Sequence, residues 1–309
     1  MRSLRKRSGF RKADRGILSL AEGELVEVKT AQEIYQTLDR NFEYEGLPFM
    51  DEMWQYCGRQ LMVLKRTARI IVEGVGTRYL KNTVILQDAE CSGQAHEDCE
   101  RTCPILWKEA WLRRPHIDSI FADGHTKPIE RVIDQERHEA SGFPCQSVSL
   151  VKASSDLPFW NPRRYLLTAR AGDFRPLLIS LKLSITKLLT GKSRPGLPSH
   201  VRRTPTATLG LRSGELVMVR SREEILATLD SSGKNRGLEF TPEMEKYCGR
   251  KIRVLKRVDK MMNEKTGKMR QIANTVILEG TNCDGYSHGG CPRACYCLWR
   301  EIWLSRAAG

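Results

Sequence analysis

The sequence predicts an α+β protein that is mostly β. It reads as two copies of one small SH3-like barrel, each carrying a Cys/His metal knuckle and a short C-terminal helix. Three observations lead there. The run from Cys91 to Cys103 returns as Cys283 to Cys295, both reading C-x4-H-x2-C-x3-C. Each run leads straight into a Trp-bearing stretch, Leu106 to Leu112 and Leu298 to Leu304. Upstream of each lie short alternating segments bounded by glycine, of the kind that form strands. An internal repeat counts structural units better than chain length does.

On this reading the 309-residue chain divides into a basic mobile arm (1–20), a first repeat (21–114), a central segment (115–208) and a second repeat (209–309). The arm holds a cluster of Arg and Lys with little apolar content. In the repeats, Gly23 to Val28 and Gly214 to Val219 read as strands, followed by short helices over Thr30 to Asp39 and Ser221 to Asp230. Ser221 and Glu224 have capping-box spacing, in which each side chain satisfies a backbone N–H at the helix start.

Leu47, Phe49, Met53, Tyr56, Cys57, Gly58 and Arg59 recur as Leu238, Phe240, Met244, Tyr247, Cys248, Gly249 and Arg250, an apolar set expected in the core. A hairpin follows. In the second copy it runs from Lys251 to Met262, turns at Asn263 to Lys268 and returns into Asn274 to Leu278, matched by Asn82 to Leu86 in the first. Several short bent strands with one small helix suggest a closed barrel.

The central segment has a different character. His116 to Ala140 is polar, Cys145 to Leu150 begins a strand or helix, and Pro158 to Tyr165 is an aromatic turn. Arg175 to Thr190 has the pattern of a basic amphipathic helix, with Leu177, Leu178, Leu181, Ile185, Leu188 and Leu189 on one face. Gly191 to Thr206 reads as a linker.

The knuckles carry the chemistry. Cys91, His96, Cys99 and Cys103, and Cys283, His288, Cys291 and Cys295, each supply three thiols and one imidazole, a set that suits a closed structural zinc site. Two zincs are therefore the expected cofactors. Cys57 and Cys248 are possible additional ligands; with four thiolates, an iron–sulfur cluster is the alternative. Free buried thiols or disulfides remain a further reading. Glu97 and Asp98 could act as an acid–base pair at an open metal in the first copy, but Gly289 and Gly290 stand at those positions in the second.

Trp107, Trp111, Trp299 and Trp303 stand at i, i+4 and so share a helical face, packed on the barrel or open to stack on a base. Glu109 and Glu301 read as solvated charges or Arg partners. Cys145 near His138 is a weak nucleophile candidate, and Cys297 a spare ligand or a bystander.

A net charge of +14 points to an anionic partner: an acidic protein, nucleic acid or a membrane surface. No apolar run is long enough to span a bilayer, although the 175–190 helix could lie on one. The start of the chain lacks a signal-peptide core, so a cytoplasmic location is expected, where ten cysteines are metal ligands more often than disulfides.

The combination of Tyr-Cys-Gly-Arg, Asn-Thr-Val-Ile-Leu, the knuckle and Leu-Trp-Arg-Glu-Ile-Trp-Leu, with Phe159 to Tyr165, resembles a group of uncharacterised bacterial Cys/His-rich proteins that carry one such unit. They look like accessories in biosynthetic loci, and the resemblance brings no assigned activity. The functional expectation is a tandem metal-stabilised binding or accessory protein. The alternatives are a metal-dependent or iron–sulfur biosynthetic enzyme and a nucleic-acid-binding protein.

Overall fold

In the computed structural model, residues 17–115, 145–158, 160–162, 203–285, 288 and 290–307 are described. Most of the basic arm, the polar stretch His116 to Ala140 with His138, and the expected 175–190 helix lie outside them.

The chain is mostly β, with two similar five-stranded sheets. The first copy runs through β1 (Leu25–Val28), a helix at Ala31–Tyr35, a two-residue ribbon of β2 (Glu43–Tyr44) and β3 (Leu47–Pro48), and a 3-10 stretch at Asp51–Tyr56. It continues through β4 (Gln60–Arg66), β5 (Arg69–Val72), β6 (Gly76–Tyr79), β7 (Thr83–Glu90), the knuckle, β8 (Pro104–Lys108), a 3-10 turn at Glu109–Trp111, and β9 (Leu112–Arg113). The helix Gln146–Ala153 and the short β10 (Ser155–Asp156) follow. The second copy repeats the pattern as β11 (Leu216–Val219), a helix at Arg222–Ala227, β12 (Lys234–Asn235), β13 (Leu238–Glu239), β14 (Lys251–Arg257), β15 (Lys260–Met262), β16 (Met269–Gln271), β17 (Thr275–Asn282), β18 (Tyr296–Arg300) and β19 (Leu304–Arg306).

Each sheet is antiparallel, in the order β8-β7-β4-β1-β9 and β18-β17-β14-β11-β19, so the last strand returns to pair with the first. Both capping boxes form, at Thr30/Glu33 and Ser221/Glu224. The helices end early, at Tyr35 and Ala227, because the Asp39 and Asp230 carboxylates turn back to accept the N–H groups of Glu43 and Lys234.

Two expectations about elements are corrected. The Trp segments are not helices. Trp107 sits in β8 and Trp299 in β18, while Trp111 and Trp303 close 3-10 turns. All four indoles are fully buried, edge-on to Phe49 and Tyr56 in one copy and to Phe240 and Tyr247 in the other. They are the centres of the two cores and leave no face for a base to stack on. The long hairpin is also two structures: β14 pairs with β17, while β15 and β16 form a separate hairpin. A bulge at Val254/Lys256, repeated at Val63/Lys65, bends the sheet just before the departure.

Glu109 and Glu301 are fully buried rather than solvated, and the other expectation holds, since each has an Arg partner: Arg66 at 3.6 Å and Arg257 at 2.8 Å. The Glu109 carboxylate accepts the backbone N–H groups of Leu18, Ser19 and Leu20, and Glu301 accepts those of Leu209, Gly210 and Leu211. Residues 18–20 were expected to belong to a mobile arm, yet they are tied to the first core, with Leu20 buried in it.

The departing hairpins explain how the copies meet. Each packs on the other copy's knuckle: Met262 N–H donates to Cys99 Sγ at 3.3 Å and Ile71 N–H donates to Cys291 Sγ at 3.4 Å. Cys99 and Cys291 are equivalent in the repeat, and so are Ile71 and Met262, which makes the contact self-complementary in the manner of a two-fold interface. At its centre the Glu264 carboxylate takes ion pairs from Arg101 at 2.8 Å and Arg293 at 2.5 Å, and accepts the Glu73 N–H at 3.0 Å.

Candidate metal centres

Each knuckle is a tight loop. Cys91 N–H donates to Cys103 O and Cys283 N–H to Cys295 O, closing the loop at its base. His96 N–H and His288 N–H donate to Gly93 O and Gly285 O. These two glycines have φ of +80° and +78°. A Cβ on either would lie 1.9 or 2.0 Å from the carbonyl oxygen of Cys99 or Cys291, so only glycine lets the loop curl until its ligand side chains converge.

In the first copy Cys91 Sγ lies 3.2 Å from His96 Nε2. All four expected ligands line one cavity of about 20 Å³, the room of a single small ion or water. Around it Cys99 Sγ accepts Met262 N–H, and Cys103 Sγ accepts the Ser147 hydroxyl at 3.5 Å. Cys145 also lines this cavity. It is buried beneath the start of the helix Gln146–Ala153, and burial pushes its thiol up to about 11. An exposed, activated thiol would have the opposite character, so the nucleophile reading is not supported.

In the second copy Cys283 and His288 come together with a residue the sequence reading passed over. Ligand atoms of Glu243, Cys283 and His288 all lie within 4.8 Å of one another, with the Cys283 thiol donating to Glu243 Oε1 at 3.0 Å. Cys291 and Cys295 line the same crevice, of about 650 Å³, as does Cys297.

Glu243 has a counterpart. Glu52 occupies the same repeat position, one residue before Met53 as Glu243 is before Met244. Its Oε2 accepts Ser92 N–H at 2.6 Å, and its Oε1 is buried without a partner. The signal was available in the sequence, as a carboxylate recurring inside a recurring apolar run.

The electrostatics of these sets fit a cation. Burial, then the Glu52 carboxylate, pushes the Cys91 thiol well above its ordinary value; burial and Glu243 do the same to Cys283. Burial holds the His96 imidazole below its usual value, with Glu52 opposing, so the ring is neutral at pH 7. Its Nδ1 is buried without a partner. Arg101 and Arg293 line the cavities beside Cys103 and Cys295, but no cation acts on Cys91 or Cys283 among the causes of their shifts, and a divalent metal would supply the charge that favours their anionic forms.

Cys57 and Cys248 stand upstream of the knuckle loops. Each ends a 3-10 stretch and leads the chain into β4 or β14, packing as an apolar side chain on the core. Neither lines a knuckle cavity, and burial raises Cys57 to about 12. Glu97 and Asp98 are exposed, and Asp98 lies 3.8 Å from Lys260, so they do not form an acid–base pair at the metal position. None of the ten cysteines is in a disulfide.

No family model, curated protein or solved structure matches this chain. Among the described residues no helix is long and apolar enough to cross a membrane.

Proposed function

We propose that this chain is a tandem zinc-stabilised binding protein, with one ion in each knuckle and two small SH3-like barrels as its scaffold. The observation that carries the reading is the recurrence, at equivalent positions, of a carboxylate, a thiol and an imidazole: Glu52, Cys91 and His96, then Glu243, Cys283 and His288. Cys99 and Cys103, with Cys291 and Cys295, complete the donors within each knuckle. Mixed sulfur, nitrogen and oxygen donors suit zinc. The one-ion volume of the first cavity favours a single metal over an iron–sulfur cluster, and so does the position of Cys57 and Cys248 away from the knuckles.

A bound ion here holds together a loop of small apolar content, and its binding free energy adds to folding. The two five-stranded antiparallel sheets, each with its last strand returned to its first, support the barrel architecture. The four core indoles are buried and take no part in base stacking, and part of the positive charge is matched by carboxylates, as in Arg113 with Glu27 and Glu33. We place the protein in the reducing cytoplasm, as an accessory that binds another macromolecule.

Elemental analysis with an absorption spectrum, on protein purified without oxygen, tests this. Two zincs per chain in a colourless solution are expected, falling to one in Glu243→Ala combined with Cys283→Ser. Iron with sulfide, or no tightly held metal, would remove the proposal and favour a redox or metal-dependent enzyme.

A further inference from the structure

The first copy is followed by the helix Gln146–Ala153, and among the described residues the second has no such helix. This helix lies on the first copy, beside its knuckle. Gln146 anchors it: Nε2 donates to Pro48 O and Leu106 O, and Oε1 accepts Leu106 N–H, at 2.9 to 3.0 Å. At its far end Arg78 donates to Val151 O, Ser154 O and Ser154 Oγ. Those contacts satisfy carbonyls that a helix end leaves open. Ser147 reaches Cys103, and Leu150 is buried in the core.

Every one of these receiving positions has an equivalent in the second copy, and there they line the crevice of about 650 Å³ instead. Pro48 corresponds to Glu239, Leu106 to Leu298, Cys103 to Cys295 and Arg78 to Arg270. The exposure shows the difference. Leu47 and Leu106 are 0% and 1% exposed, whereas Leu238 and Leu298 are half-buried. A Cβ on Gly46 would meet Lys152 of the helix at 3.1 Å, but on Gly237 it would meet nothing within 4 Å. Arg270 lines the crevice with its Nε buried and unpartnered, though its other nitrogens pair with Glu73.

We propose that the crevice is a docking groove for a short amphipathic helix of a partner protein, of the chemistry that Gln146–Ala153 displays. Such a helix carries an amide side chain at its start to engage the edge of β18. A small hydroxyl faces the knuckle, a central leucine enters the cleft beside Leu238 and Leu298, and open C-terminal carbonyls meet Arg270. The two-fold relation between the copies is the argument, since the fold has already built this groove once and filled it. A seated helix would also cover the Glu243–Cys283–His288 set, as Gln146–Ala153 covers the first knuckle. This deepens the binding role proposed above by giving it a surface and a partner class.

The test uses the full chain and a fluorescein-labelled peptide of residues 145–157 carrying Cys145→Ser, read by anisotropy. A hydrocarbon-stapled version is run beside it, so that low helicity of a free short peptide does not decide the result. Saturable one-to-one binding is expected, weakened about tenfold, as for loss of a charged hydrogen bond, by Arg270→Ala. Leu238→Glu should abolish it. Unchanged melting of the Arg270→Ala protein shows that the fold is intact. Failure of both peptides to bind overturns the proposal, whether residues 163–202 of the same chain fill the crevice or it admits only small anions. Binding that neither substitution weakens also overturns it. Zinc content is measured on the same samples, so failure of the metal reading shows as missing zinc and failure of the groove as missing binding to zinc-loaded protein.

Discussion

Cys99 Sγ accepts a hydrogen bond from Met262 N–H at 3.3 Å, across the boundary between the two copies. Its mirror, Cys291 with Ile71, closes at 3.4 Å. A sulfur proposed as a metal ligand in one copy is therefore also the acceptor that positions a hairpin of the other. An N–H donated to a metal-bound thiolate is stronger than one donated to a neutral thiol, because the acceptor is charged.

Metal removal is accordingly expected to loosen the hairpins. With a chelator, amide hydrogen exchange at Met262 and Ile71 should accelerate in parallel by about tenfold or more, as for the loss of a charge-assisted bond of ~1.5 kcal/mol. Exchange mapped by mass spectrometry checks this. Unchanged protection at both amides would separate the knuckles from the interface.

The knuckle glycines permit a sharper comparison. Gly93→Ala and Gly285→Ala each place a methyl within about 2 Å of a carbonyl oxygen, at a φ that alone costs about 1–2 kcal/mol. Both should lose metal from the affected copy. Gly23→Ala is strained by φ of +81° but meets nothing within 4 Å, and should cost only about 1 kcal/mol with full metal content. Zinc stoichiometry beside urea denaturation distinguishes the two effects.

Glu301 fixes a pH dependence. Burial works against its carboxylate, but the N–H groups of Leu211, Leu209 and Gly210 and the Arg257 guanidinium outweigh it and hold the pKa below the usual carboxylate value. The folded state thus binds the proton less readily than the unfolded chain. The stabilisation is present above the unfolded-state pKa and is lost as pH falls through the lower, folded value. Melting temperature should fall with acid from about pH 4.5 downward. Glu301→Gln should flatten that part of the profile and cost about 2 kcal/mol at pH 7, by weakening charge-assisted bonds.

Glu264 pairs directly with both Arg101 and Arg293 at the interface, with Glu73 a more distant partner of Arg101 at 3.9 Å. Glu264→Gln leaves two buried guanidinium groups with reduced compensation, which is expected to cost about 3 kcal/mol. The loss should appear as earlier opening of the inter-copy contact in urea, monitored by proteolysis between the hairpins and knuckles.

What the sequence made legible was local or repeated. The capping box at Ser221, the strands around Val84 and Val276, and the knuckle spacing are all patterns within a few residues. The Trp segments misled because a spacing of four fits a helix and also fits a strand followed by a 3-10 turn, which likewise brings both indoles to one core. Glu109 and Glu301 were legible as Arg partners but not as buried groups, because the backbone of residues 18–20 and 209–211 that they also accept from is remote in sequence and has no side-chain signature. Glu52 and Glu243 were hidden among apolar neighbours that were read as core. The crossing of the hairpins left no pattern, since it depends on how the two copies face each other.

The self-complementary contact between the copies has a consequence for how the molecule can vary. When a two-fold interface joins separate identical chains, assembly depends on concentration and any substitution alters both halves at once. Here the tether supplies a high effective concentration, so pairing survives dilution, and each half can be changed alone. One half can thus stay rigid as the supporting wall while the opposite half accumulates changes in recognition.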